Sequence, residues 1–199
     1  MQVLDEQKRS KILAAAAELF AAHPFHKVLL SDVAAAAAVG KGTLYIYFKS
    51  KEDLYLSVLY SSFAHLVERM QHRLDQKQLG PMENLEAAIR EIVQFAYQNP
   101  HLFDLMRMVP WHHVIDDVQW RGKRAELKTL IGSIIRSGIA SGIFCDPHPD
   151  LTARFIPGLV RSVLIEGPQS VDQQTLTAHI LHFVAAGLMN PNTAARQKF

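Results

Sequence analysis

SDVAAAAAVGKGTLYIYFKSKEDLY, residues Ser31 to Tyr55, holds the densest local signals in the chain. Its alanines predict a short helix from about Ser31 to Ala38, and Val39-Gly40-Lys41-Gly42-Thr43 is a break punctuated by glycine. The next apolar group, Leu44 to Phe48, is too short to stand as a helix alone and must be held by neighbours. Ser50-Lys51-Glu52-Asp53 then reads as a helix start. Ser50 accepts from the third residue's N–H and Asp53 returns the bond, a capping box with a shorter acid. Two short helices around a tight turn describe a helix-turn-helix. The second helix of such a unit must enter a DNA major groove about 12 Å wide. Its N-terminal N–H groups attract phosphate, and the alanines before it let the two helices cross closely. The hydroxyls of Tyr45 and Tyr47 are long enough to reach phosphates, and Lys51 adds a cation in the first turn of the following helix. From Gly40 to Lys51 there are Lys41, Lys49 and Lys51 and no acid, a local basic patch with two tyrosines inside it.

Outward from this stretch the periodicity is helical nearly everywhere, without a convincing alternating strand pattern. Upstream, Ile12, Leu13, Ala16, Leu19 and Phe20 share one face of a helix that Pro24 closes. Downstream, Leu54, Val58, Leu59, Leu66, Val67, Met70 and Leu74 mark one long amphipathic helix, ended by Gly80-Pro81. Leu85, Ala88, Ile89, Ile92, Val93 and Ala96 mark the next, which stops at Asn99-Pro100. His101 to Val109 is a short apolar segment. Leu127, Leu130, Ile131, Ile134, Ile135 and Ile139 lie on a helix from about Val118 to Ser141, with Gly142 as its C-terminal cap. After the loop 145–150, Asp150 is placed to cap a helix from Leu151 to Ile165 with Pro157 inside it, where a kink is expected. The last helix runs from about Asp172 to Leu188. The chain therefore divides near residue 50: a three-helix module at 1–50 and a six-helix bundle at 51–199, an all-α fold.

Composition bounds the function classes. The 199 residues suffice for a core without staples, and the lone Cys145 excludes an internal disulfide and a multi-cysteine metal cluster. Apolar runs fall short of a membrane span, and the mixed-charge start MQVLDEQKRSK lacks the apolar region of a secretory signal, so a cytoplasmic, soluble protein is expected. Net charge is only +2, from 21 basic and 19 acidic residues, so a DNA-binding reading rests on where charges sit.

KILAAAAELF followed by SDVAAAAAVGKGTLYIYFKSKEDLY resembles the N-terminal domain of the TetR (tetracycline-repressor-like) family of transcriptional regulators. The matching core is Val33-Ala34, Ala37, Val39, Lys41-Gly42-Thr43-Leu44-Tyr45, Tyr47-Phe48 and Lys51-Glu52-Asp53-Leu54, without a gap. The resemblance implies nine helices, the first three binding DNA and the rest binding a ligand and a second subunit. It implies a homodimeric repressor released from operator DNA when a small molecule enters the bundle. It places the recognition helix at Lys41 to Phe48 and DNA contacts at Lys41, Gly42, Thr43, Tyr45, Tyr47 and Lys51. The chain departs from the pattern at three points. Leu29 stands where relatives commonly have a capping Thr, so Ser31 is expected to cap instead and shorten that helix. Ala38 replaces a turn Gly, and Gly40 replaces a Ser cap. Ile46 stands where polar residues are common, and a thymine methyl contact is conceivable there.

Leu44 and Phe48 are assigned to the core; Tyr45 is open between core and contact. Val39 to Thr43 is not a P-loop, since Ala35 and Gly42 stand where Gly and Ser or Thr are required. His112-His113, and His179 with His182, are weak metal candidates without a nearby acid or cysteine, and Cys145 beside His148 lacks a third catalytic group. No metal, cofactor or catalytic residue is assigned. Phe95, Phe103, Met106, Trp111, His112 and Trp120 concentrate aromatics and polar tips where the family places its ligand. They are read as the pocket for an apolar or aromatic effector, with a plain bundle core as the alternative. The helices 151–165 and 172–188 carry Gly158, Ser162, Ala178, Ala185 and Ala186 among Leu159, Val163, Ile180, Leu181 and Val184. This pair is read as the homodimer interface. The rivals are an all-helical small-molecule-binding protein or enzyme without DNA binding, and a helical interaction protein. The missing catalytic motifs weigh against the first, and the acid-free segment at 40–51 against the second.

Overall fold

Why each helix begins and ends where it does is settled largely by caps. The computed structural model describes residues 5–76, 79–99, 118–164 and 171–189. They form α1 (Glu6–Ala22), a 3-10 turn (Phe25–Lys27), α2 (Leu30–Ala36), α3 (Lys41–Tyr47), α4 (Lys51–Asp75), α5 (Pro81–Gln98), α6 (Val118–Ala140), α7 (Pro149–Leu164) and α8 (Gln173–Leu188). The expected all-α class holds: among the described residues the extended structure amounts to one isolated bridge, Phe144 with Met189. The short segment His101 to Val109 lies outside the described residues.

Two units divide the chain, Met1–Phe63 and Ala64–Phe199. The division falls inside α4 rather than at residue 50, and aromatic packing explains it. Tyr55 meets Phe20 edge-on at 4.7 Å and lies 5.3 Å from Phe25, while Leu54, Val58 and Leu59 are buried. The first half of α4 thus completes the N-terminal core. In that unit α1 packs on α2 and α2 on α3. Asp5 caps α1 by accepting from the N–H groups of Gln7 and Lys8 at 2.9 and 3.2 Å. The bond from Lys8 holds its carboxyl below the usual range. Ile12, Ala15, Ala16 and Phe20 form the buried stripe of α1.

In the second unit α5 is the central helix, packing against α6, α7 and α8. Leu85, Ala88, Ile89, Ile92, Val93 and Ala96 are all buried as the periodicity predicts. A seventh buried residue, Glu91, breaks the apolar pattern. Arg69 at 3.3 Å and Arg73 at 2.7 Å, one turn apart on α4, satisfy its carboxylate, which otherwise could not be desolvated. The Tyr97 hydroxyl donates to the Val171 carbonyl at 2.5 Å, and burial followed by the charge of Asp172 raises its pKa. Asp172 caps α8 by accepting from Thr175 N–H at 2.9 Å and its hydroxyl at 2.6 Å; the hydroxyl bond is the main reason its pKa is lowered. Before α7 the side chain that ties the loop to the helix is Asp146, not the expected Asp150. Asp146 accepts from His148 N–H at 2.8 Å and the Thr152 hydroxyl at 2.6 Å, while Asp150 pairs with Arg136 at 3.2 Å. Starting at Pro149 moves Asp150 inside the helix, where its side chain no longer reaches the free N–H groups. The helix continues through Pro157, which supplies no N–H to it.

Candidate nucleic-acid interface

The helix-turn-helix is assembled from backbone bonds more than from side-chain caps. α2 starts directly after Leu29, whose carbonyl accepts from Asp32 and Val33 at 3.0 and 3.2 Å. Ser31 lies within the first turn and its hydroxyl donates to Asp32 at 3.3 Å. The expected takeover of the cap by Ser31, with a shortened α2, is therefore not what forms. Backbone bonding to Leu29 already starts the helix.

At the other end, Val39 N–H bonds to the Ala34 carbonyl at 2.9 Å and Ala38 N–H to that of Ala35 at 3.0 Å. These are the two bonds of a Schellman termination, and they force the residue between them into the left-handed region. Ala38 takes it, with φ +53°. Gly40, extended at φ −68° and ψ 146°, then caps α3 without a side chain. Its carbonyl accepts from Leu44 at 3.1 Å.

α3 divides cleanly by face. Leu44 and Phe48, four apart, are buried as predicted. Lys41, Gly42, Tyr45 and Ile46 are exposed, Tyr45 by 47% and Ile46 by 60%. The open choice for Tyr45 thus falls to the outside. Thr43 and Tyr47 are half-buried. The Tyr47 hydroxyl accepts from Asp5 N–H at 3.1 Å, tying the end of α3 to the cap of α1.

Lys51 bonds within the module. Its ammonium donates to the carbonyls of Phe25 at 2.9 Å, Val28 at 3.2 Å and His26 at 3.5 Å, and sits 4.6 Å from the centre of the Phe25 ring. These bonds fasten the start of α4 to the α1–α2 connection. Beside it, Ser50 accepts from Asp53 N–H at 3.1 Å, as expected, while Asp53 returns a bond to Lys49 N–H at 2.8 Å rather than to Ser50. The predicted contact set is thus split. Lys41, Gly42 and Tyr45 form an outward stripe, Thr43 and Tyr47 are its half-buried flank, and Lys51 turns inward. Leu29, 57% exposed, is a further outward residue of the module.

In the second unit, Phe95 and Trp120 are half-buried on α5 and α6. Phe103, Met106, Trp111 and His112 lie outside the described residues. A groove of about 520 Å³ lies between α4, at Val67 and His72, and α6, at Ala125 and Leu130; Phe95 and Trp120 do not line it. On α7 and α8, Gly158, Ser162, Ala178 and Ala186 are exposed, while Leu159, Val163, Leu181 and Ala185 are half-buried. Ile180 and Val184 are buried within their own bundle and leave the predicted interface set. Two aromatics that the small-residue pattern overlooked stand outward instead, Phe155 at 59% and Phe183 at 64% exposure. A Cβ added at Gly158 or Gly187 would meet nothing within 4 Å. Among the described residues no group of three or more His, Cys, Asp or Glu is placed to hold a metal, and no helix is long and apolar enough to cross a membrane.

Residues 12–58 match the family model for bacterial regulatory proteins of the tetR family. The chain is 37% identical over 75 residues to the fatty acid metabolism regulator protein of Bacillus subtilis, covering 36% of this chain and 39% of that one. It is 30% identical over 182 residues to the HTH-type transcriptional repressor KstR2 of Mycolicibacterium smegmatis, covering 83% of this chain and 84% of that one. The fold matches the crystal structure of the transcriptional regulator FadR from Bacillus subtilis in complex with stearoyl-CoA. The TM-score is 0.69 at 22% identity, over 90% of this chain and 98% of that one.

Proposed function

We propose, since the chain belongs to the tetR family of bacterial regulatory proteins, that this DNA-binding transcriptional regulator acts as a homodimeric repressor. It works in the cytoplasm on double-stranded operator DNA, and a small, largely apolar effector in the C-terminal bundle releases it. The observation that carries the reading is the outward stripe of α3, where Lys41, Gly42, Tyr45 and Ile46 stand free of the domain core. Lys41 and Tyr45 serve phosphate, Gly42 admits the backbone closely, and Thr43 and Tyr47 border the contact.

A single module of this size makes few phosphate contacts, and two half-sites joined by one dimer multiply affinity. The outward faces of α7 and α8 support that dimer. Phe155 and Phe183 are apolar anchors among small residues, and the bare Gly158 and Gly187 let a second pair of helices approach. A relative named a repressor supports the mode of action, and a structural neighbour bound to stearoyl-CoA supports an apolar effector. Phe95 and Trp120, with Phe103, Met106, Trp111 and His112, are the residues proposed to line its site. Release requires that the effector bind the DNA-free state better than the DNA-bound one; equal affinity would shift nothing. α4 passes through both units and is the element proposed to carry the change.

Fluorescence anisotropy against DNA upstream of the protein's own gene, with a scrambled duplex and two salt concentrations, tests the reading. Sequence-preferring binding that weakens steeply with salt is expected. Phe183→Glu should convert the dimer to monomer in sedimentation and remove operator binding without unfolding the chain. A variant that stays dimeric rules out the α7–α8 interface.

A further inference from the structure

We propose that Ile46 reads the 5-methyl group of a thymine in the operator's major groove, so that each half-site carries a thymine where Ile46 enters. The inference rests on the DNA-binding reading of α3 and adds to it the base that is recognised.

Three features of the module converge on Ile46. It is 60% exposed and stands four residues after Gly42, so the two share one outward row of α3. Gly42 has no packing reason to be glycine, because a Cβ there would meet nothing within 4 Å. Its bare backbone leaves a recess one turn before the isoleucine, through which a base edge can reach the side chain. Finally, one cation of the acid-free segment is engaged within the protein. The Lys51 ammonium donates to the carbonyls of Phe25 and Val28. The outward row is left with one ammonium at Lys41, one phenol at Tyr45 and a branched aliphatic between them and the end of the helix.

The chemistry of the groove then selects the partner. An isoleucine side chain offers no donor and no acceptor. Against guanine, adenine or cytosine it covers a polar base edge and leaves that edge unpaired, which is unfavourable. The thymine methyl is the apolar group that base edges present in the major groove, and it gains from burial against an aliphatic surface. Discrimination is therefore sharpest against cytosine, which lacks the methyl and carries an amino donor in the same region of the groove.

The test uses the full-length protein. Operator sequences are selected from random duplex DNA, and each thymine of the selected site is replaced singly by deoxyuridine, which removes the methyl and nothing else. Affinities for wild type and Ile46→Ala are measured by anisotropy, with thermal unfolding to verify that the exposed substitution leaves the fold intact. One thymine per half-site should lose about fourfold in wild-type affinity on conversion to deoxyuridine, the worth of one buried methyl. At that position Ile46→Ala should bind the two duplexes equally. The proposal is overturned if no thymine shows a methyl dependence, if selected half-sites share no thymine, or if the dependence persists in Ile46→Ala. Those outcomes leave DNA binding standing. Failure to enrich any duplex over a scrambled one would instead overturn the binding reading and this inference with it.

Discussion

The ends of α2 and α6 close with the same pair of backbone bonds and fill the motif with opposite residues. At the end of α6, Ile143 N–H bonds to the Gly138 carbonyl at 2.9 Å and Gly142 N–H to that of Ile139 at 3.0 Å. Val39 to Ala34 and Ala38 to Ala35 repeat this spacing at the end of α2. The left-handed position is Gly142, φ +74°, in one and Ala38, φ +53°, in the other. The position that opens the motif is Gly138 in one and a buried Ala34 in the other. Hydrogen bonding therefore dictates the turn, and the residues report what else each turn must accommodate. In the bundle the Phe144 ring folds back over Gly138, so a side chain is excluded there and the glycine at 142 sits without strain. In the DNA-binding module the Ala34 methyl belongs to the core. Its turn holds an alanine in a conformation that costs about 1 kcal/mol.

The comparison breaks most visibly at Gly138. A Cβ added there would come within 2.0 Å of the Phe144 ring, which is buried. Gly138→Ala should cost about 3 kcal/mol in thermal or denaturant unfolding, at the upper end for overpacked cores. Combined with Phe144→Ala, the loss should be well below the sum of the single losses, because the two changes share one volume. An additive result would mean that the ring does not set the glycine.

Next in size is Lys51→Met. It keeps the aliphatic stem and removes the ammonium from the carbonyls of Phe25, His26 and Val28. Loss of charged hydrogen bonds to half-buried carbonyls should cost about 1.5 kcal/mol of stability. The salt dependence of DNA binding should keep its slope, because no phosphate contact is lost. A slope reduced by about one, with stability unchanged, would return Lys51 to the DNA face.

The paired exchange at the left-handed sites comes third. Gly142→Ala should destabilise by about 1 kcal/mol. Ala38→Gly should stabilise by about 0.5 kcal/mol, since glycine also loses more chain entropy on folding and so recovers only part of the strain. Equal and opposite changes of less than 0.2 kcal/mol, on the order of measurement error, would show that positive φ is not what separates the two turns.

Much of this was legible in the sequence because helical periodicity and caps are local. The buried residues of α5, the Ser50 cap of α4 and the Gly142 terminator all follow from spacing over a few residues, and the replacement of a turn glycine by Ala38 follows from the family resemblance. What sequence could not supply was where long side chains go once the chain folds. Lys51 finds acceptors 23 to 26 residues upstream, and nothing in the acid-free segment around it distinguishes a clasp from a phosphate contact. Glu91 interrupts an apolar helix face and reads as an exposed acid until Arg69 and Arg73 are seen beside it. In α8 apolar residues surround the helix, so periodicity does not separate the buried Ile180 and Val184 from the outward Phe183. Of the small residues, Gly158, Ser162, Ala178 and Ala186 stand outward, beside two aromatics that the small-residue pattern did not single out.

Gly40 carries the comparison to its finest level, because it precedes α3 in the same module whose turn is strained. Its φ and ψ are open to any residue, and a Cβ would meet only the Thr43 hydroxyl at 3.7 Å, an ordinary contact. No internal demand of the protein requires glycine there. Gly40→Ser introduces an oxygen able to accept from the N–H groups of Gly42 or Thr43 and should raise stability by a few tenths of a kcal/mol. If operator affinity is unchanged, the bare cap is simply a weaker cap than serine. If affinity falls tenfold or more while stability rises, the glycine is there for the DNA. The strain at Ala38 and the missing cap at Gly40 would then have separate causes, one a choice of residue in the turn and the other the close approach of a phosphate.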